Sequence, residues 1–160
     1  MKILYIIPLA LMLSCCSSVK NQGSDTTKPD AQLLKDVEIL SSDAYQGRKT
    51  GTKGAEMARA YIRERFQKLG LKSYPQHVNY AQDFDFTSRN GQKVNVTNLI
   101  GYIPAKGTNV IVVSAHYDHL GVVKDEVFNG ADDNASATAG LLKIAAYFAK
   151  NKPNNTIIFA

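Results

Sequence analysis

The sequence has no tryptophan and only two cysteines in 160 residues, and these two, Cys15 and Cys16, are adjacent. The body of the chain therefore offers no disulfide framework, no catalytic thiolate and no cysteine-ligated zinc site. A basic stripe is also lacking, because 19 Lys and Arg are interspersed with 14 Asp and Glu, for a net charge of +5. Without such a stripe the composition gives no reason to expect nucleic-acid binding, and no nucleic-acid partner is predicted.

The composition that remains fits one folded domain. Hydrophobic residues make up 44% of the chain and charged residues 21%, which excludes the disordered and collagen-like classes of protein. A chain of 160 residues has room for one domain with its own core and little room for two.

The N-terminus has the pattern of a targeting segment. Met1-Lys2 precedes an apolar run, 3–13, which is shorter than the roughly 20 residues that a membrane-spanning helix needs. The run ends at Ser14-Cys15-Cys16 and resembles a bacterial lipoprotein signal, with Cys15 as the acylated residue and Cys16 as the alternative. An ordinary secretory peptide with an incidental cysteine pair is the competing interpretation.

The lipoprotein interpretation divides the chain into a signal peptide, 1–15, a flexible tether, 16–30, and a folded part, 31–160. Acyl chains on Cys15 would anchor the protein to a membrane. We therefore expect secretion across the bacterial inner membrane and display as a periplasmic or outer-membrane lipoprotein.

The first half of the folded part has helical spacing. The apolar pattern predicts a helix over 31–40, with Asp30 as its N-cap, and a loop over 41–53. A second helix is predicted over 55–69, and Gly70 stands where a C-cap glycine belongs.

Strand-like stretches follow at 76–86, loosely, at 94–103, and at 109–115. The last contains the run Val110-Ile111-Val112-Val113, which predicts a central strand covered on both faces. A helix over 134–150 and a strand over 155–160 complete a βαβ pattern. The predicted fold class is α/β.

The residues with catalytic potential come directly after the strand 109–115. His116 and Asp118 are two apart on an extended chain, so their side chains converge, and a carboxylate beside a histidine orients the imidazole toward a metal. The segment 129–136 adds Asp132 and Asp133 before the next helix, and these acids could meet the pair around a cation. A structural histidine and an ordinary helix cap remain the alternatives. His119 and His77 are interpreted as surface or loop histidines.

Two stretches, 114–121 and 130–138, resemble the first half of the M28 family of zinc peptidases, which includes di-zinc aminopeptidases. The earlier pieces Leu40-Ser41-Ser42-Asp43 and Gly47-Arg48 are similar to the segment that precedes the catalytic sheet in that family. The resemblance implies a three-layer α/β/α fold with a central, mostly parallel mixed sheet, of the phosphorylase/hydrolase-like zinc-peptidase type, incomplete here at its C-terminus.

The resemblance also implies roles for single residues. His116 corresponds to a ligand of one zinc, Asp132 to the carboxylate that bridges two zinc ions, and Asp118 to the acid that orients His116. The peptide bond after the bridging acid is cis in the family, which implies a cis bond between Asp132 and Asp133 and a geometric role for Asp133. The implied cofactor is zinc, two ions in a complete site, and the implied substrate is a peptide with a free N-terminus.

The general-base Glu and the remaining ligands of the family have no counterpart up to Ala160. We therefore expect the N-terminal portion of a longer metallopeptidase, most simply an aminopeptidase, and expect the 160-residue chain alone to be inactive. Two alternatives remain open: a glutaminyl cyclase-like zinc acyltransferase, and a non-catalytic M28-like binding module.

Overall fold

The computed structural model of the protein describes residues 30–88 and 91–160. Cys15, Cys16 and nearly all of the predicted tether lie outside the described residues, so the predicted lipidation stays a prediction. Within the described residues, no helix has the length and apolar character needed to cross a membrane.

In the part of the chain that the structure describes, three α-helices form within two residues of the predicted bounds. Helix α1 spans Ala31–Leu40, and the Asp30 carboxylate accepts hydrogen bonds from the first amides of this helix, as predicted. Helix α2 spans Lys53–Leu69 and ends at Gly70, which adopts the left-handed conformation at φ 72° that favours glycine. Helix α3 spans Ser136–Lys150 and begins two residues later than predicted, because a π-helical turn occupies Ala131–Ala135.

Among the residues with a described structure, eight short strands form three sheets. They are β1 (Lys72–Ser73), β2 (Ala81–Thr87), β3 (Lys93–Leu99), β4 (Gly101–Ile103), β5 (Val110–Val113), β6 (Gly121–Val123), β7 (Glu126–Phe128) and β8 (Thr156–Phe159). The main sheet has the order β1-β4-β8-β5, in which β5 and β8 are parallel and the other two pairs are antiparallel. Two antiparallel hairpins, β2–β3 and β6–β7, stand beside it. The α/β class and the mixed sheet are confirmed.

The main core lies between the sheet and helices α2 and α3. It contains Phe66 from α2, Leu142 from α3, and Ile157 and Phe159 from β8, all at most 2% exposed. Phe66 and Tyr80 also meet edge to face, with their ring centroids 5.7 Å apart. The packing of Leu142 in the same core as Ile157 and Phe159 holds α3, and therefore the turn that precedes it, against β8.

The predicted covering of β5 on both faces is wrong for the described residues. Val110, Ile111 and Val112 are 57%, 49% and 61% exposed, because β5 is the edge strand of the four-stranded sheet. The predicted strand 94–103 is also divided at Ile100, where β3 belongs to a hairpin and β4 to the main sheet.

Candidate metal centre

The site begins where β5 ends. His116 and Asp118 lie in the extended segment after this strand, and the His116 Nδ1 lies 3.4 Å from Asp118 Oδ1 and 3.1 Å from the Asp118 carbonyl oxygen. Thr50 donates a 2.8 Å hydrogen bond to Asp118 Oδ2, which holds the carboxylate from its other side. The structure therefore brings His116 and Asp118 together in the way that their spacing predicts.

The backbone around His116 is held by buried groups. Thr138, at 3% exposed, donates a hydrogen bond of 3.1 Å to the His116 carbonyl oxygen. Tyr117 donates a 2.7 Å hydrogen bond to the Thr97 carbonyl oxygen, and burial raises the pKa of the Tyr117 hydroxyl above its usual value. Tyr117 thus acts as a neutral structural donor, and His116 carries the reactive nitrogen into the cleft.

The second carboxylate at the site belongs to Asp133. Its Oδ1 lies 3.2 Å from the His116 Nε2, and its Oδ2 lies 3.4 Å from the His119 Nδ1. The side chain of Asp132 makes no ion pair or hydrogen bond with any other described residue, whereas its carbonyl oxygen accepts from Ser136 Oγ at 2.9 Å. The acid that meets His116 is therefore one residue later than the acid that the resemblance suggests.

The cis peptide bond is displaced in the same direction. It joins Asp133 and Asn134, so the predicted cis bond between Asp132 and Asp133 is wrong. Within the turn Ala131–Ala135, which precedes helix α3, Asp133 has an extended rather than helical backbone conformation, with φ −115° and ψ 89°. A geometric role alone for Asp133 does not account for a carboxylate that faces two histidines, whereas the role of Asp132 as a metal ligand stays a prediction.

His119 is a site residue that the sequence did not single out. Its side chain is 12% exposed and its ring packs beside Gly130, where an added Cβ would lie 2.6 Å from the imidazole. Gly130 also has a φ of 57°, so both the backbone conformation and the space require glycine here. The only available signal was the His-x-x-His spacing from His116 to His119, which does not reveal that Asp133 approaches both rings.

Arg48 is a second residue that the sequence underrated. It is fully buried and donates hydrogen bonds to backbone carbonyls of the segments that carry His116 and Asp133. The weak Gly47-Arg48 motif was the signal for it. Gly47 itself has a φ of 61°, and a Cβ there would lie 2.3 Å from the Phe128 carbonyl oxygen.

His116, Asp118 and His119 border an open cleft of about 1420 Å³. His116, Asp118 and His119 line one side, and the apolar side chains Phe84 and Phe86 of strand β2 line another. The cleft therefore joins a polar, imidazole-bearing edge to an apolar wall, which is a common composition for a small-molecule or peptide site.

The donor set of His116 and Asp133 fits zinc. Two ligands that hold one tetrahedral zinc at about 2.0–2.1 Å lie about 3.4 Å apart, close to the 3.2 Å between His116 Nε2 and Asp133 Oδ1. The Nδ1 of His116 faces Asp118, which is the arrangement that directs Nε2 to a metal. Within residues 30–88 and 91–160, no three His, Cys, Asp or Glu side chains form a ready-made metal group, so a zinc at this position needs further ligands.

Comparison with known proteins agrees with the resemblance. Residues 98–160 match the family model of peptidase family M28. A glutaminyl cyclase from Tannerella forsythia is 21% identical with a TM-score of 0.66, and a leucine aminopeptidase precursor from Bacteroides thetaiotaomicron is 20% identical with the same TM-score. A Zn-dependent exopeptidase from Parabacteroides distasonis is 20% identical with a TM-score of 0.64. Each likeness covers 80% of this chain and 44% of the other.

The chain spans only part of the length of the curated relatives that it matches. Two curated relatives from Escherichia coli are 30% and 29% identical to this chain, which spans about a third of their length, 34% and 36% respectively. The family-model match over residues 98–160 confirms the predicted M28 resemblance there, and the structural likenesses confirm the zinc-peptidase-like fold.

Proposed function

From the M28 match over residues 98–160, we propose that this chain is part of a zinc-dependent aminopeptidase that removes N-terminal residues from peptides. The observation that carries the proposal is the placement of His116 between two carboxylates. One carboxylate, from Asp118, faces Nδ1, and the other, from Asp133, lies 3.2 Å from Nε2. This leaves one ring nitrogen and one carboxylate oxygen in position to hold a single cation.

Within the proposal, each residue has a distinct task. The Asp118 carbonyl oxygen accepts a hydrogen bond from the His116 Nδ1–H, and the Asp118 carboxylate lies 3.4 Å from the same nitrogen, which favours the tautomer in which Nε2 has a free lone pair. Thr50 in turn holds the Asp118 carboxylate. Asp133 offers Oδ1 beside His116, and its Oδ2 points toward His119, so its two oxygens are available to two cations. A bound zinc would supply Lewis acidity toward the scissile carbonyl and lower the pKa of a water molecule.

The test compares the two adjacent acids in the full-length protein. We expect Asp133→Asn to lose bound zinc, measured by elemental analysis, and to lose hydrolysis of an aminoacyl-4-nitroanilide. Asp132→Asn is the matched control, since it removes the same charge one residue away, and it should keep both properties. If Asp132→Asn loses zinc and Asp133→Asn does not, the bridging role belongs to Asp132, as the sequence resemblance implies. Full zinc content and activity in His116→Ala would overturn the proposed site altogether.

A second candidate is glutaminyl cyclase activity, and the likeness to the Tannerella forsythia enzyme favours testing it. The same preparation would be given a peptide with N-terminal glutamine and one with N-terminal leucine. Pyroglutamate formation with one zinc per chain would identify the cyclase, and release of leucine with two would identify the aminopeptidase. A folded protein with neither activity and little zinc would be a binding module.

We further propose that the protein is held at a membrane through acylated Cys15. The sequence pattern is the support for this, because the residue lies outside the described part of the chain. Labelling cells with a fatty-acid analogue should mark the wild type and Cys16→Ala but not Cys15→Ala. Label retained by Cys15→Ala and lost by Cys16→Ala would move the anchor to Cys16.

A further inference from the structure

Arg48 is a fully buried cation whose partners are backbone carbonyls. Its Nε donates to the Tyr117 carbonyl oxygen at 2.8 Å, one Nη donates to the Asn129 carbonyl oxygen at 2.7 Å, and the other donates to the Gly130 carbonyl oxygen at 2.9 Å. The Leu40 carbonyl oxygen, at the end of α1, also accepts from this guanidinium. Within the described residues, no carboxylate forms a hydrogen bond or an ion pair with Arg48.

These carbonyls belong to the two segments that carry the candidate metal centre. Tyr117 stands between His116 and Asp118, whereas Asn129 and Gly130 lead into the turn that presents Asp133. The main chain of Arg48 adds another connection, since its carbonyl oxygen accepts from the His119 amide at 3.2 Å. The β6–β7 hairpin pairs Gly121 with Phe128, where the two loops enter it, and the side chain and carbonyl of Arg48 join the loops beyond that pair.

The rigid fork of a guanidinium suits this task. Arginine presents five N–H donors in one plane, so it can hold several acceptors at fixed separations, whereas the ammonium group of lysine is a single point. The position is electrostatically consistent as well. Burial lowers the pKa of the Arg48 guanidinium, and the negative charges of Asp118 and then Asp133 act in the opposite direction.

We propose that Arg48 is a positioning residue of the metal centre, which fixes the loop bearing His116 and Asp118 against the turn bearing Asp133. A residue that only fills the core would stabilise the whole fold without a special effect on this pair of loops. The metal part of the proposal rests on the proposed function. Its structural part does not, because the Ala135 amide donates to Gly130 O at 3.1 Å and reports on the same carbonyl that Arg48 holds.

The test uses Arg48→Lys in the full-length protein, with Arg65→Lys as the matched control. Arg65 is also a largely buried arginine, but it pairs with Asp36 away from the site. We expect hydrogen exchange in peptides that contain His119 and Ala135 to become about tenfold faster in Arg48→Lys, since hydrogen bonds to a charged donor are lost. Arg65→Lys should leave these peptides unchanged and accelerate exchange in α1.

The second readout is the affinity for Zn²⁺, measured by competition with a chromogenic chelator. Removal of residues that support metal ligands weakens binding by about 10–100-fold, and we expect a loss in that range for Arg48→Lys and none for Arg65→Lys. Wild-type affinity and wild-type exchange in Arg48→Lys would overturn the proposal, as would equal changes in both variants. If Arg48→Lys does not fold, Arg48→Gln takes its place, and failure of both to fold assigns Arg48 to the core instead.

The two proposals can fail separately. If the wild type does not bind zinc, the proposed function fails and the exchange measurement alone decides the role of Arg48. If the wild type binds zinc and His116→Ala does not, the proposed function stands whatever the Arg48 variants show.

Discussion

The buried carboxylate of Asp36 joins helix α1 to helix α2 by polar contacts, and its removal gives a sharp test of the packing. Asp36 is 1% exposed and accepts hydrogen bonds from Gln32 Nε2 at 2.8 Å and from the Tyr61 hydroxyl at 2.5 Å. Arg65 donates from one Nη to Asp36 Oδ2 at 3.2 Å, while its Nε lies 3.2 Å from Oδ1 without the alignment of a hydrogen bond. The Arg65 side chain is itself only 13% exposed.

Substitution of Asp36 by Ala should destabilise the fold strongly. It leaves the Arg65 charge and the Tyr61 hydroxyl without their acceptor, and breaking a buried ion pair from one side lowers the free energy of unfolding by about 3–5 kcal/mol. If the penalty arises from the stranded charge, then Asp36→Ala/Arg65→Met should be more stable than Asp36→Ala alone, by about 1 kcal/mol or more.

Urea unfolding of the full-length protein, followed by far-UV circular dichroism, measures the wild type, both single variants and the double variant. Additive effects, within about 0.5 kcal/mol, would show that the two side chains are not coupled and would refute the reasoning. Lys53→Ala is a suitable control, because its ion pair with Glu56 is exposed and contributes little.

Three further predictions follow from single contacts. Burial and the hydrogen bond to Asp36 raise the pKa of Tyr61 above its ordinary value of 10.0. The contribution of the neutral Tyr61 hydroxyl to stability is therefore complete below about pH 10 and is lost as the pH rises further. Tyr61→Phe should reduce this alkaline loss in thermal melts. The contact with Lys143 lowers the pKa of Asp30 below 3.8. The Asp30 carboxylate therefore contributes to stability above that pH, and the contribution is lost at lower pH. Asp30→Asn should flatten the acid side of the plot of melting temperature against pH, and an unchanged profile would contradict the assignment. Gly130→Ala should weaken zinc binding at least tenfold, because the added Cβ would lie 2.5 Å from the Asp133 carbonyl oxygen. Competition with a chelator measures the affinity. Gly140→Ala is the control that should bind zinc normally, since its added Cβ would meet no atom of another described segment within 4 Å.

The features that sequence predicted well are those decided by neighbours in the chain. Asp30 caps α1 because an Asx side chain reaches the amides two and three residues ahead, and Gly70 ends α2 because glycine tolerates the left-handed conformation. His116 and Asp118 meet because residues two apart on an extended segment point the same way. Each of these depends on only a few consecutive residues, so their residue types suffice to predict them.

The prediction for β5 failed for a different reason. A run of β-branched residues indicates that a strand has apolar surroundings, but it does not identify its partners or its position in the sheet. Val110 and Val112 lie on the edge strand of the described sheet and are largely exposed there. Strand order is decided by pairing between distant segments, such as β5 with β8, and no local pattern contains that information.

The sequence by itself determined the α/β class, the C-terminal ends of the helices, the M28 resemblance and the pairing of His116 with Asp118. Only the tertiary structure decided that Asp133 rather than Asp132 faces His116, because the conformation of the turn Ala131–Ala135 determines which of the two adjacent side chains points toward the histidine. It also decided that Arg48, which stands in a polar loop, becomes a buried link between two loops. The Arg48 link depends on segments 69 and 82 residues apart in the chain, whose approach is set by the packing of α2 and α3 on the sheet.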